Sequence, residues 1–150
     1  MTARHDEQGS ISLYLLGLAV IAMVLVAGTV AVTSAHLARI RLLDVADAVA
    51  LDAADALDSE AYGRGLGQSV PLSDATVRER AAAHVGALER PPGVVAWRLG
   101  PATGTPDGRT AVVALTGEAE LPMVGRALRD LGVSITISVT SRARADLLVP

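Results

Sequence analysis

Residues 11–32 read ISLYLLGLAVIAMVLVAGTVAV, twenty-two positions without a charge, broken only by Ser12, Tyr14, Gly17, Gly28 and Thr29. At about 1.5 Å rise per residue, such a run laid out as a helix crosses the roughly 30 Å hydrocarbon core of a bilayer. The stretch therefore predicts a transmembrane helix, with membrane lipid as its first partner. A cleaved secretory signal is the competing reading, since Arg4 precedes the run and Thr33-Ser34-Ala35 offers small residues for a cut. The run is longer than the 7–15 apolar residues usual in such signals, which argues for retention. Charge does not orient the span, because Arg4 lies on one side and Arg39 and Arg41 on the other.

Working outward, the helical signal does not stop at the membrane. From Thr33 there is no Gly or Pro until Gly63, and the segment is rich in Ala and Leu. The expected helix, about 11–59, is about 75 Å long and projects beyond the lipid. At 100° per residue, Asp44, Asp47, Asp55 and Asp58 fall in one arc with Asp52 at its edge, opposite Val45, Val49, Ala53, Ala56 and Leu57. A straight row of carboxylates is a solvated face rather than a metal site, since hard cations need oxygens wrapped around them. Ala27, Ala31 and Ala35 repeat every fourth residue and form a candidate surface for close helix packing in lipid.

The whole chain is 150 residues, room for one ordinary folded body. It is 51% hydrophobic with a net charge of -3, which excludes a disordered tail and, with arginines dispersed and no lysine, a nucleic-acid partner. It has no cysteine, so disulfides, thiolate catalysis and Cys-based metal sites are excluded. Gly63, Gly65 and Gly67, followed by Gln68, Ser69 and Pro71, punctuate the end of the long helix but lack the Lys-Ser/Thr of a phosphate loop.

Ser73 caps a second helix, about 74–89, with Val77, Ala81, His84, Val85 and Leu88 on one face; His84 is expected to pack at a core boundary. Pro91-Pro92-Gly93 ends it, and a strand over 94–99 places Val95, Trp97 and Leu99 on one side, with Trp97 as a core anchor. Thr105-Pro106-Asp107-Gly108 has type I turn chemistry ahead of a strand over about 109–121. A short helix over 123–131 leads to a third strand, where Val133, Ile135, Ile137 and Val139 alternate with Ser and Thr. Glu118 and Glu120 share a strand face and read as a solvated row, since acid/base carboxylate pairs face each other across a cleft. No nucleophile elbow, zincin or nucleotide motif is present, so no enzyme activity and no cofactor are expected.

Two segments carry a family resemblance. Glu7-Gln8-Gly9-Ser10-Ile11-Ser12 is a polar leader ending in glycine before the apolar helix, and residues 38–51 read ARIRLLDVADAVAL. Over about residues 7–57 the chain resembles the TadE/TadG-like family of tight-adherence (Flp, type IVc) pilus proteins, with Arg41, Leu42, Asp47, Ala48, Ala50 and Leu51 in register with the family signature. The resemblance implies prepilin peptidase cleavage between Gly9 and Ser10 on the cytoplasmic face, a single-pass protein of the cytoplasmic membrane with its C-terminal domain outside, and other pilins or Tad assembly-platform proteins as partners. Filament-forming pilins commonly carry Glu as the fifth mature residue where this chain has Tyr14. The resemblance thus implies a minor pilin or pseudopilin; the other class is an exported or anchored binding module that forms no filament. The larger members' von Willebrand A-like domain does not fit this length, and its Asp-x-Ser-x-Ser motif is missing.

The expected fold is α+β and pilin-like: leader 1–9, transmembrane and projecting helix 10–60, and an extracytoplasmic domain 61–150 holding a helix and a three-stranded, mainly antiparallel sheet.

Overall fold

The computed structural model describes residues 8–63, 73–122, 125–130, 132 and 134–144. The chain is α+β: α1 (Gln8–Gly63), α2 (Asp74–Ala87), β1 (Val94–Leu99), β2 (Thr110–Ala119), α3 (Gly125–Asp130) and β3 (Thr136–Arg144). At 56 residues, α1 is about 84 Å long. The three strands form one antiparallel sheet in the order β1-β2-β3.

The expected domain, 61–150, holds the sheet and the second helix by themselves, with the first helix projecting. In the structure the main partner of the sheet is α1 itself. Ala38, Leu42, Ala46, Val49, Ala50 and Ala53 are buried and form one core with Val113, Leu115, Ile137, Val139 and Ala143 of the sheet. Residues 38–54 thus belong to the folded body as well as to the long helix. The buried stripe is built mostly from alanine. Small side chains let the helix axis approach the strands closely, and β2 meets it with Gly117, where an added Cβ would stand 3.2 Å from the Leu42 side chain and 3.1 Å from that of Val94.

On the sheet side, the alternation of β3 is complete: Ile137, Val139, Ser141 and Ala143 are buried while Thr136, Ser138, Thr140, Arg142 and Arg144 are exposed. Trp97 and Leu99 pack against the core as expected. A register shift between Val94 and Ala96 inserts one residue and brings Val94, in place of Val95, onto the Trp97 face.

The second helix packs beside α1. The Ser73 hydroxyl accepts from the Thr76 amide at 3.1 Å, the expected cap, and Val77 and Ala81 are buried. Asp74 accepts from the Thr105 amide at 2.7 Å, and Arg78 donates to the Thr103 carbonyl at 2.8 Å. Thr103 is itself buried, its hydroxyl bonded to both the carbonyl and the amide of Ala114, so a side chain extends the β1 edge along β2.

The Thr105-Pro106-Asp107-Gly108 bend is held differently from the expected turn. Asp107 accepts from the amides of Arg109 and Thr110 at 2.9 and 2.7 Å and from the Thr110 hydroxyl at 2.9 Å, and Gly108 sits at φ +68°. The backbone bond from Arg109 is the largest of several influences that hold the Asp107 carboxyl below the ordinary aspartate value of 3.8, with the Thr110 hydroxyl, the Thr110 amide and the Arg144 charge adding to it. A depressed folded-state value means the ionised carboxylate stabilises the fold above the unfolded pKa, and that this contribution is lost as pH falls through the folded value. The melting temperature of the wild type should therefore drop relative to Asp107→Asn as pH is lowered from about 6 to about 2. Parallel melting curves would contradict the assignment.

Candidate functional site

The candidate functional feature is one helix with two unlike halves. Residues 11–32 of α1 stand clear of the rest of the chain: Leu13, Tyr14, Met23 and Val32 are 70–78% exposed, and Leu15, Leu18, Ile21 and Leu25 are exposed to a similar degree. Contiguous bare apolar surface of this size is rare on soluble monomeric proteins. This is the one segment among the described residues that is long and apolar enough to cross a membrane, by length and composition. Six residues beyond Val32, at Ala38, exposure falls to zero.

The expected helix-packing residues divide along this boundary. Ala27 and Ala31 lie on the bare half, each partly shielded, whereas Ala35 packs against the domain core. Gly9 and Ser10 fall in the first turn of α1, and the leader residues 1–7 lie outside the described residues.

The six residues on which the resemblance rests serve unlike ends. Leu42 and Ala50 are fully buried against the sheet. Arg41 is exposed and donates to the Pro92 carbonyl at 2.8 Å, which fixes the Pro91-Pro92-Gly93 loop against the helix; Gly93 takes φ +83° there, next to Ala38. Asp47, Ala48 and Leu51 face away from the sheet, Leu51 at 57% exposure. With Leu37, Ile40 and Asp44 they form a mixed acidic and apolar face.

Asp44, Asp47, Asp52 and Asp55 are all exposed, while the side chain of Asp58 lies outside the described residues, as do those of Ala56 and Leu57. Val49 and Ala53 are buried as expected and Val45 half-buried, but the centre of the apolar face lies at Leu42 and Ala46, which the expected arc of Val45, Val49, Ala53, Ala56 and Leu57 leaves out. Asp52 meets His84 of α2 at 3.1 Å. His84 is half-buried beside the core, and its carboxylate partner went unnoticed because the two residues lie thirty-two positions apart.

Among the described residues no group of three or more His, Asp and Glu side chains stands where it could hold a metal ion. Glu118 is half-buried on the outer sheet face, while β2 stops at Ala119 and the Glu120 amide turns to the Gly93 carbonyl at 2.8 Å. The alternation nonetheless runs on, with Ala119 and Leu121 buried on either side of exposed Glu120, so the two glutamates keep the outward side although only Glu118 lies within the strand. The glycine cluster at Gly65 and Gly67 lies outside the described residues.

An apolar helix rooted in a small α+β body defines the class: an α+β domain carried on its own N-terminal helix, with that helix exposed over the length of a membrane span. Comparison of the chain with family models, with curated proteins and with solved structures gives no match.

Proposed function

We propose that the chain is a single-pass structural protein of the cytoplasmic membrane, a minor pilin or pseudopilin-like component of a Flp/Tad-type pilus or a related secretion machinery, which assembles through its N-terminal helix. The observation that carries this reading is the two-part use of α1, bare and apolar over 11–32 and built into the domain core over 38–54. A subunit made this way presents an apolar rod to lipid or to sister helices while its domain stays folded at the rod's far end. Tyr14, 78% exposed, stands where filament-forming pilins carry glutamate and supports a minor rather than a major subunit. Its partners are other pilins, the Tad assembly platform and a prepilin peptidase acting between Gly9 and Ser10, and the role is not enzymatic.

Intact mass and N-terminal sequencing of the protein from its own membranes test the reading. A mature chain beginning at Ser10 is the expected result. A chain beginning at His36 makes it a released domain and ends the pilin reading, and an uncut chain favours a membrane-anchored binding module.

A further inference from the structure

The folded body has two bare faces on opposite sides, and they differ in charge. One belongs to α1. At 100° per residue, Leu37, Ile40, Asp47, Ala48, Leu51 and Asp55 fall within about 60° of Asp44, while Leu42, Ala46, Val49 and Ala53 lie on the other side, against the sheet. Every residue of this outer stripe is exposed, and from Leu42 to Asp55 the helix carries no arginine. The other is the sheet face turned away from α1. Ser138, Thr140, Arg142 and Arg144 of β3 are exposed there, and Arg98 of β1, also exposed, joins them through the row Arg98-Thr116-Ser138. Among the described residues, Asp44, Asp47, Asp55, Arg98 and Arg142 take part in no ion pair.

The two sets of charges stand at matching heights. Ala38 lies by Gly93, just before the Val94-Ala119 pair, and Leu42 lies by Gly117, so α1 runs from the Ala119 end of β2 toward its Thr110 end. Beyond the Leu42-Gly117 level, Asp44 is about 3 Å and Asp55 about 20 Å further along the helix. At about 3.4 Å per strand residue, the Arg98-Thr116 row is about 3 Å beyond the same level, the Arg142-Val112 row about 17 Å and the Arg144-Thr110 row about 24 Å. Glu118 and Glu120 stand on the rod side of Gly117, where α1 carries Arg39 and Arg41 and no aspartate. Asp107 precedes the strand, its carboxylate taken by the Arg109 and Thr110 amides.

We propose that the outer stripe of α1 docks on the outer sheet face of a second copy of this chain, with Asp44 meeting Arg98, Asp55 meeting Arg142 and Arg144, and Leu51 laid on the strands between them. The proposal rests on the reading of residues 11–32 as a membrane span, which holds the rods of neighbouring copies parallel and at one height. A two-fold axis along the rods would set aspartates against aspartates or arginines against arginines. The back-to-front contact pairs opposite charges and covers the open side of the sheet with a helix. It also leaves one face free on each outermost copy, so that further copies add in a ring or a filament.

Because the chain has no cysteine, one can be placed on each face: Ala48→Cys on the stripe and Thr140→Cys on the sheet, both exposed and each about 9–10 Å beyond the Leu42-Gly117 level. The two full-length proteins are reconstituted into phosphatidylcholine vesicles, separately and together, and treated with a short bis-maleimide. The mixture should give several-fold more crosslinked dimer than either protein alone. Asp44→Arg/Asp55→Arg in the Ala48→Cys protein should remove that excess, and Arg98→Asp/Arg142→Asp in its Thr140→Cys partner should restore it, which also shows that both charge variants fold. No excess in the mixture, a link formed as readily by the Ala48→Cys protein alone, or a failure of the paired reversal overturns the contact. So does capture of a different protein at both cysteines in the native membrane with no link between copies. If the protein in these outcomes still resists alkaline extraction, the anchor stands; if alkali extracts it, the span falls and the contact with it.

Discussion

Leu42→Ala should lower the unfolding free energy of the folded body by about 2–5 kcal/mol, the range for truncating a buried leucine. Leu42 is fully buried, it is the largest buried side chain on α1, and the strand opposite it carries Gly117, which has no side chain to move into the space. The lost transfer energy is therefore joined by a cavity that the close helix-sheet approach cannot collapse. Trp97, the sole tryptophan, packs on the same core and reports the transition in denaturant. Leu51→Ala is the matched control: a leucine of the same helix, it is mostly exposed, and a change within about 0.5 kcal/mol is expected. Equal effects of the two substitutions would mean that α1 does not form the core.

The other large effect belongs to the bare half of the rod. Arginine in place of Ile21, near the middle of 11–32, should disfavour membrane integration by about 2.5–3.5 kcal/mol, a shift of roughly a hundredfold in the integrated fraction. Ile21 is 58% exposed and touches no part of the domain, so the substitution leaves the folded body alone. The measurement is the share of chain that resists alkaline extraction from membranes, with Ile21→Leu as the neutral comparison. An unchanged share for the arginine variant would remove the membrane reading, and unaltered Trp97 fluorescence in detergent would confirm that only insertion was affected.

Much of this architecture could be read in advance because local chemistry dictates it. Ser73 before an Ala-rich run, the strict alternation around Ile137 and Val139, and Pro91-Pro92-Gly93 each commit the backbone with little help from the rest of the chain. The β3 boundary shows the limit. Alternation begins at Val133, but the strand begins at Thr136, because it pairs opposite Glu118 and β2 ends one residue later. Pairing, rather than pattern, decides where a strand starts.

The core role of α1 was harder to see for a different reason. Its buried stripe consists largely of Ala38, Ala46, Ala50 and Ala53, and alanine marks helix propensity more strongly than it marks an inward face. The charged residues pointed to the solvent side correctly, but Leu51 lies outside among them while small residues fill the interior. Of α1, the apolar half was legible from composition alone, whereas the Arg41 contact to Pro92 joins residues fifty-one positions apart and requires the folded chain.

The unbroken course of α1 fixes the rotation of the domain about the rod. The sheet-facing positions Ala35, Ala38, Leu42, Ala46, Val49 and Ala53 continue backwards, at spacings of three and four, to Ala31 and Ala27. Neither Gly nor Pro interrupts the helix from Thr29 to Ala61, so there is no swivel between rod and domain. The alanine side of the rod and the sheet therefore share one azimuth. One residue inserted after Ser34 would turn the domain about 100° around the rod and raise it about 1.5 Å, whereas four would nearly restore its heading, about 40° on, at about 6 Å of lift. Any torque on the rod arrives undiminished at the sheet, and the domain acts as the pointer on a rigid shaft.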